Sequence, residues 1–547
     1  MSLPGTVPWP PEFASRYRSE GYWEDRPIGD YIADAAAAAP ERVAVVTPEV
    51  RMTYDELMSR ADAAAARLHG MGLRPGDRIL LQLPNDWPFI VLTLACFRSG
   101  VIPVMALPAH RLHELSHLAR MAEARAIAVP DRVRDFDHVE LARQVAAEAV
   151  SVETILVSGA APDDCVSLAD LLAPAAADHN QLDHAPDPDS PACFLLSGGT
   201  TGLPKLIVRT HNDYAYNVRA TASATGFSER TVYLSTLPAS HNFALACPGI
   251  LGALFVGGTA VMLPSPEPAR AFETIRREGV TVASAVPAVA QRWLEHQRES
   301  GAGPMPSFEV LQVGGSRMPD ELAARVRPEL GATLQQVFGM AEGLINMTRL
   351  DDPDDVILTT QGRPVSPADE IRILDDQGGE LPDDAVGSIV TRGPYTPRGY
   401  FQAKEQNARA FLDGWYASGD LVQRRPDGNL VVHGRDKDTI NRGGEKISAE
   451  EVESFAYRID GIRLAAVVGT PDPILGERIC LCVVLRTEVT VTLDDVRASF
   501  ARAGLAPFKH PEQLELLDEM PLTKVGKVDK AALRTRFANE RLKSPPA

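Results

Sequence analysis

Lysine is scarce in this chain. Only nine of the 55 basic residues among 547 are lysines (Lys205, Lys404, Lys437, Lys446, Lys509, Lys524, Lys527, Lys530 and Lys543), and eight of them lie beyond residue 400. Arginine does the surface work elsewhere, so each lysine needs its own explanation, codon bias and chance being the plainest. Positive charge as a whole is in deficit: 73 acidic residues leave a formal net charge of -18, which argues against a general binder of nucleic acid or anionic membranes. Cysteine is sparse too. Cys96, Cys165, Cys193, Cys247, Cys480 and Cys482 include no CxxC pair, and in a chain of this length they read as reduced, mostly buried thiols. Cys480 and Cys482 stand two apart in the strand-like run ICLCVVL, so they share one face and read as core. Long apolar runs are missing: the longest, Trp87 to Phe97, is too short to span a bilayer and is broken by Pro88 and Thr93. The opening Met1 to Phe13 has no basic n-region, apolar h-region or small-residue cleavage site. A cytoplasmic location is the expectation.

What is present is ordinary globular composition, 45% hydrophobic and 23% charged, with length for more than one domain. Short apolar runs (Arg78-Ile-Leu-Leu-Gln-Leu, Ala126-Ile-Ala-Val-Pro) alternate with Ala-rich helical stretches such as Asp55 to Gly70 through the first 430 residues. That alternation predicts βα units, a largely parallel sheet and an α/β class. Ala185 to Pro191 and Leu350 to Asp355, rich in Pro and Asp, read as loops. From Gly387 the strands shorten, with turn dipeptides at Asp413-Gly414 and Asp427-Gly428. After Arg435 a charged step leads into about 110 residues with their own helix–strand alternation, enough for a small domain. The boundary is placed near Lys437, dividing the chain into 1–436 and 437–547.

One motif invites rejection. His113-Glu114-Leu115-Ser116-His117 is HExxH, which on a helix sets two imidazoles one turn apart with a glutamate between them, as in zinc hydrolases. The following LARMAEARA lacks the extended third-ligand pattern, and Glu123 is an unremarked helical glutamate. Chance on a surface helix is the preferred explanation, with a zinc hydrolase as the remote alternative.

Ser197-Gly-Gly-Thr-Thr-Gly-Leu-Pro-Lys205 follows the apolar run Ala192-Cys-Phe-Leu-Leu, so a strand feeds a loop rich in glycine and hydroxyls that can wrap N–H groups around phosphate oxygens. It is not a Walker A loop, because Pro204 precedes Lys205 and Leu206 follows it. The nine-residue string resembles the signature loop of the adenylate-forming superfamily of acyl-CoA synthetases, peptide-synthetase adenylation domains and luciferases. Further motifs follow in order: Gln335-Gln-Val-Phe-Gly-Met-Ala-Glu342, Tyr416-Ala-Ser-Gly-Asp420, Gly434-Arg435-Asp-Lys-Asp438, Asn441-Arg-Gly-Gly-Glu-Lys446 and Pro521-Leu-Thr-Lys-Val-Gly-Lys527. Ala341 departs from the threonine often found before Glu342. The resemblance implies a large N-terminal domain of two αβ lobes plus a β-barrel, and a small α+β C-terminal domain that turns between two catalytic orientations.

It also implies a two-step reaction: a carboxylate attacks the α-phosphate of ATP, then a thiol takes the acyl group from the adenylate. Two anions meet in the first step, so cations must face the developing charge. By resemblance, Lys527 is the catalytic lysine, a compact charge on a long stem, and Glu342 is the Mg²⁺ ligand. Ser197, Gly198, Gly199, Thr200, Thr201, Gly202 and Lys205 hold phosphate; Asp420 and Arg435 hold ribose. Gly315, Ser316, Val337, Gly339 and Met340 line the adenine slot, where side chains would block the ring. Lys437 is the hinge, and Gly443, Gly444 and Lys446 reach the site for the thioester step. Four of the nine lysines thus fall on motif positions.

The finer resemblance is to stand-alone aryl-acid–AMP ligases of siderophore biosynthesis, carried by Leu206-Ile-Val-Arg-Thr-His, Ser240-His-Asn-Phe-Ala-Leu-Ala-Cys-Pro-Gly249 and the Gln335 to Asp352 segment. The Ser240 to Phe243 stretch offers no carboxylate for an amino-acid ammonium. His241 is expected to face the acid and phosphate, Asn242 to bond the ortho hydroxyl or carboxylate, Phe243 to wall the ring, and Gly314 to floor the pocket. Cys247 stands where dihydroxybenzoate enzymes carry serine, and Ile345 where they carry valine. A 3-hydroxyl would lose a partner and meet added volume, at a cost of about 1–3 kcal/mol. Salicylate is the leading acid, and a phosphopantetheinylated aryl carrier protein the leading acceptor. A 2,3-dihydroxybenzoate ligase and an aryl-CoA ligase of aromatic catabolism remain the alternatives.

Overall fold

A computed structural model describes the chain except residues 1–2, 175–184, 198–202, 302, 304, 436–437, 443–444, 473–474, 488, 504, 506, 525 and 542–547; side chains are also left aside at 441, 445–446, 476 and 538–541. The short apolar runs are strands covered on both faces. Arg78–Leu81, Ile102–Met105 and Ala126–Pro130 are buried at every position, as in parallel sheets coated by helices. Among the described residues they belong to a seven-stranded sheet ordered Leu206–Thr210, Pro191–Leu196, Ile102–Met105, Arg78–Leu81, Ala126–Pro130, Thr154–Ser158, Val166–Ser167. A nine-stranded sheet forms the second layer. Its strands run parallel from Val43–Val46 through Thr259–Met262, Val232–Ser235, Val282–Ala285 and Val310–Gly314 to Thr333–Met340, with antiparallel pairing at both edges.

Helix boundaries follow local chemistry. Tyr54–Gly70 starts at a capping box of Thr53 and Glu56. The longest apolar run is the core helix Trp87–Ser99, ended by Gly100 at φ +73; among the described residues no helix is long and apolar enough to cross a membrane. The predicted loop Leu350 to Asp355 is partly wrong. Helix Asp354–Thr359 begins inside it, because Pro353 sets the entry angle and two aspartates in the first turn complement the exposed N–H groups.

Beyond these layers, Glu370–Leu374, Val386–Arg392, Phe411–Leu412, Trp415–Arg424 and Leu430–Arg435 pair antiparallel. Their pairing path is open among the described residues, where the resemblance implied a barrel. The last sheet comprises Thr439–Arg442, Glu445–Ser448, Ile462–Asp472, Gly476–Leu485 and Gln513–Leu516, with helices Ala449–Ala456, Leu493–Arg502 and Lys530–Arg541. Cys480 and Cys482 do share a buried face, with sulfurs 3.9 Å apart.

Two buried polar devices tie the large layers. Asn85, just beyond the strand Arg78–Leu81, donates to the carbonyls of Leu237 (2.7 Å) and Leu263 (3.0 Å) and accepts from the Ala239 N–H (2.8 Å), so one amide joins the two sheets. Arg209 and Asp213 are paired at 2.6 Å with both side chains at most 1% exposed; Arg209 also reaches the Ala341 carbonyl at 3.2 Å. Removing one member of a buried pair strands the other. Asp213→Ala is therefore expected to lower unfolding free energy by about 3–5 kcal/mol; a denaturation midpoint giving a loss below about 1 kcal/mol would contradict the role assigned to the pair.

Candidate active site

The carboxyl ends of parallel strands are where α/β sheets hold ligands, and here two neighbouring ends gather the expected residues. Gly314 closes Val310–Gly314 and lies opposite Val337 in register. Gly315 follows at φ +87, a conformation natural to glycine. A Cβ on Gly315 would stand 2.8 Å from the Lys527 side chain, so the lysine lies directly across bare backbone. Gly315, Ser316 and Gly339 are exposed, with Met340 partly so, leaving a slot edged by main chain.

Charge is concentrated around that slot. Loss of hydration and the nearby Arg435 pull the Lys527 ammonium down to about 8, while Asp420 and Glu342 support its charge. Asp420 is 5% exposed and accepts from Arg435 Nε at 2.9 Å. Glu342 is buried at the end of the Thr333–Met340 edge, and burial pushes its carboxyl up against the pull of the Tyr400 hydroxyl, Lys205 and the Tyr416 hydroxyl. Tyr400 donates to Glu342 Oε1 at 2.9 Å, and the Lys205 Nζ lies 4.6 Å from the centre of the same ring. His241 is lowered to about 4 by loss of hydration and then by Lys527, so it is neutral at physiological pH. Its Nδ1 accepts from the Phe243 N–H at 3.2 Å, which leaves the ring proton on Nε2.

Beside this charged rim is a buried apolar cluster. Phe243 packs on Gly314, where a Cβ would meet the ring at 3.1 Å, and Phe243, Cys247, Val337 and Ile345 share one buried cluster. Asn242 is the polar insertion. Its Oδ1 accepts from the Tyr214 hydroxyl at 2.8 Å and its Nδ2 lies 3.3 Å from the Cys247 sulfur. Burial pushes the Cys247 thiol up to about 12, keeping it neutral.

Ser197 and Lys205 close the base of the phosphate-loop candidate: the Ser197 N–H donates to the Lys205 carbonyl and the Lys205 N–H to Ser197 Oγ, both at 3.0 Å. The loop joins antiparallel strands, Pro191–Leu196 and Leu206–Thr210, and so is a hairpin connection rather than a strand-to-helix turn. Gly198, Gly199, Thr200, Thr201, Gly202, Lys437, Gly443 and Gly444 lie outside the described residues, as does the Lys446 side chain.

The HExxH run occupies the first turns of helix Leu112–Ala122, but His117 Nε2 is 3.2 Å from the Pro204 carbonyl and Glu114 pairs with Lys524. No three metal-binding side chains cluster among the described residues. Asn85, Tyr214 and Tyr400 were missed at the level of sequence, because a lone asparagine or tyrosine carries no spacing signal; Tyr416 stood in a named motif but was given no role. If the cleft lowers Lys527 as described, its modification by an amine-directed reagent rises through about pH 8, since the neutral amine is the nucleophile. A midpoint in the ordinary lysine range, above pH 10, would show that the cleft does not perturb it.

Residues 32–401 match the family described as AMP-binding enzyme, and residues 451–527 the AMP-binding enzyme C-terminal domain. The chain is 53% identical over 540 residues to a salicylyl-CoA synthase / salicylate adenylyltransferase from a Streptomyces species, with 98% of each chain covered. It is 52% identical over 538 residues to a 2-hydroxy-7-methoxy-5-methyl-1-naphthoate–CoA ligase of Streptomyces carzinostaticus, covering 97% of this chain and 96% of that one. The salicyl-AMP ligase / salicyl-S-ArCP synthetase of Mycobacterium tuberculosis is 47% identical over 539 residues, covering 97% and 94%. Nucleotide motifs and whole-length similarity coincide, and the chain belongs to the adenylate-forming family of AMP-binding enzymes.

Proposed function

We propose that this enzyme activates an ortho-hydroxylated aryl acid, salicylate foremost, with ATP to give aryl-AMP and pyrophosphate, then passes the aryl group to a pantetheine thiol. The reading is supported by the buried cluster at Gly314, where Phe243, Cys247, Val337 and Ile345 pack together and one amide, Asn242, lies against Cys247. A flat ring with one hydrogen-bonding substituent matches that set of side chains. The acids named for the three relatives agree with it, since salicylate and the 2-hydroxynaphthoate share a hydroxyl ortho to the carboxylate.

In the first step a carboxylate oxygen bonds to the α-phosphorus while the bond to the oxygen bridging to the β-phosphate breaks, and pyrophosphate leaves with the electron pair. Lys527 is assigned the neutralisation of the carboxylate and α-phosphate; two bound anions would restore its charge above the value of about 8 seen without them. Neutral His241 can donate from Nε2 to an anion without adding to the repulsion felt by Lys527. Asp420, braced by Arg435, is assigned the ribose hydroxyls, and the slot of Gly315, Ser316, Gly339 and Met340 the adenine. Ser197, the 198–202 loop and Lys205 are assigned the distal phosphates. Glu342 suits Mg²⁺: it is a buried carboxyl group within electrostatic reach of Lys205, and a hard cation takes one carboxylate plus phosphate oxygens. Mg²⁺ bound there would offset the charge of the polyphosphate. Lys437 is proposed as the hinge between parts 1–436 and 437–547, and Gly443, Gly444 and Lys446 as contributors to thiol transfer.

The acceptor is proposed to be the phosphopantetheine of an aryl carrier protein in siderophore or related assembly. CoA is the second reading, favoured by the CoA products named for two relatives. Product analysis with CoA and with a holo-carrier separates them. ATP–pyrophosphate exchange over a panel of aryl acids tests the substrate: kcat/KM for salicylate is expected to exceed that for 2,3-dihydroxybenzoate by about tenfold, and the opposite order would overturn the assignment of Cys247 and Ile345. Lys527→Ala is expected to abolish exchange while retaining ATP binding; undiminished exchange would remove the lysine from the mechanism.

A further inference from the structure

The HExxH run has a use that does not involve metal. Glu114 sits in the first turn of helix Leu112–Ala122, and its two carboxylate oxygens do different things. Oε2 accepts from the Arg111 N–H at 3.0 Å and caps the helix, while Oε1 pairs with the ammonium of Lys524, 410 positions along the chain. The two side chains are 22% and 39% exposed. Burial pushes the Glu114 carboxyl up, but Lys524 together with the main-chain N–H groups of Arg111 and Glu114 pulls it down to about 2.

Lys524 belongs to the same closed turn as Lys527. The Thr523 N–H donates to the Lys527 carbonyl at 2.6 Å, the Lys527 N–H to Thr523 Oγ1 at 3.1 Å and the Gly526 N–H to the Thr523 carbonyl at 2.9 Å; Leu522 and Val528 bridge its base. A restraint on Lys524 is therefore a restraint on where Lys527 emerges over Gly315. One helical turn from Glu114, on the same face, His117 lies against Pro204 at the base of the phosphate-loop candidate. A single helix thus touches both loops that carry cations to the cleft.

We propose that Glu114 is a positioning residue for adenylate formation, acting through its ion pair with Lys524 to set Lys527 across Gly315. This rests on the assignment of Lys527 to that step.

Glu114→Gln is the informative change, because glutamine still serves as the capping acceptor and only the charge is lost. Pyrophosphate exchange is measured with whichever aryl acid the wild-type enzyme activates, alongside transfer from supplied aryl-adenylate to the thiol acceptor. The exchange kcat is expected to fall about two- to fivefold, the scale of a partly exposed ion pair, with the KM for ATP and the transfer rate unchanged. Lys524→Gln is expected to lose as much, and the double variant no more than either alone. Unchanged exchange in Glu114→Gln, equal loss in both half-reactions, or additive losses would overturn the proposal. Failure of the underlying reading is separately visible, as wild-type inactivity toward aryl acids or as full activity of Lys527→Ala.

Discussion

A single ammonium group held across a glycine sets the terms for this cleft. Lys527 lies over Gly315, where a Cβ would stand 2.8 Å from its side chain, and Asp420 and Glu342 support its charge against the cost of leaving water and the repulsion of Arg435. Each neighbour is constrained in turn. Asp420 is held by Arg435 at 2.9 Å and Glu342 by Tyr400 at 2.9 Å, so the carboxylates that balance the lysine are oriented before any ligand arrives. Preorganised charge of this kind is what a reaction between two anions needs.

Beneath the charged rim the work falls to uncharged polar groups buried with partners. Asn85 joins the two sheets through main-chain contacts, and Tyr214 fixes the Asn242 amide beside an otherwise apolar cluster. Arg209 and Asp213 sit below, fully enclosed, and extend to the Ala341 carbonyl next to Glu342. Satisfied buried networks hold specific geometry because each group has a penalty for letting go. The apolar cluster and the charged slot therefore meet at Gly314, against Phe243, and Gly315, against Lys527.

Much of this was legible in the linear chain. The α/β layers followed from apolar runs alternating with Ala-rich helices, and the strand runs at Arg78 and Ala126 emerged as expected. The acids and cations of the cleft were named from motif strings, and Lys527, Asp420, Glu342, Arg435 and His241 do influence one another electrostatically. Less was legible where spacing is ambiguous. HExxH has the periodicity of a metal site, yet its carboxylate caps a helix and holds Lys524, and its second histidine abuts Pro204. The strand feeding the loop at Ser197 was read from the Ala192 to Leu196 run, whereas the antiparallel return strand Leu206–Thr210 emerged only from the pairing.

Local composition and order were enough to determine the class of fold, the family and the residue types that bring charge to the cleft, because those depend on periodicity and on short strings whose members are near neighbours in the chain. Tertiary structure alone decided which lone residues matter. Asn85, Tyr214 and Tyr400 gain their roles from partners more than 25 residues away, and Lys524 from a helix 410 positions distant. A hydrogen bond or ion pair is set by distance in space, and no pattern within a short window records that distance.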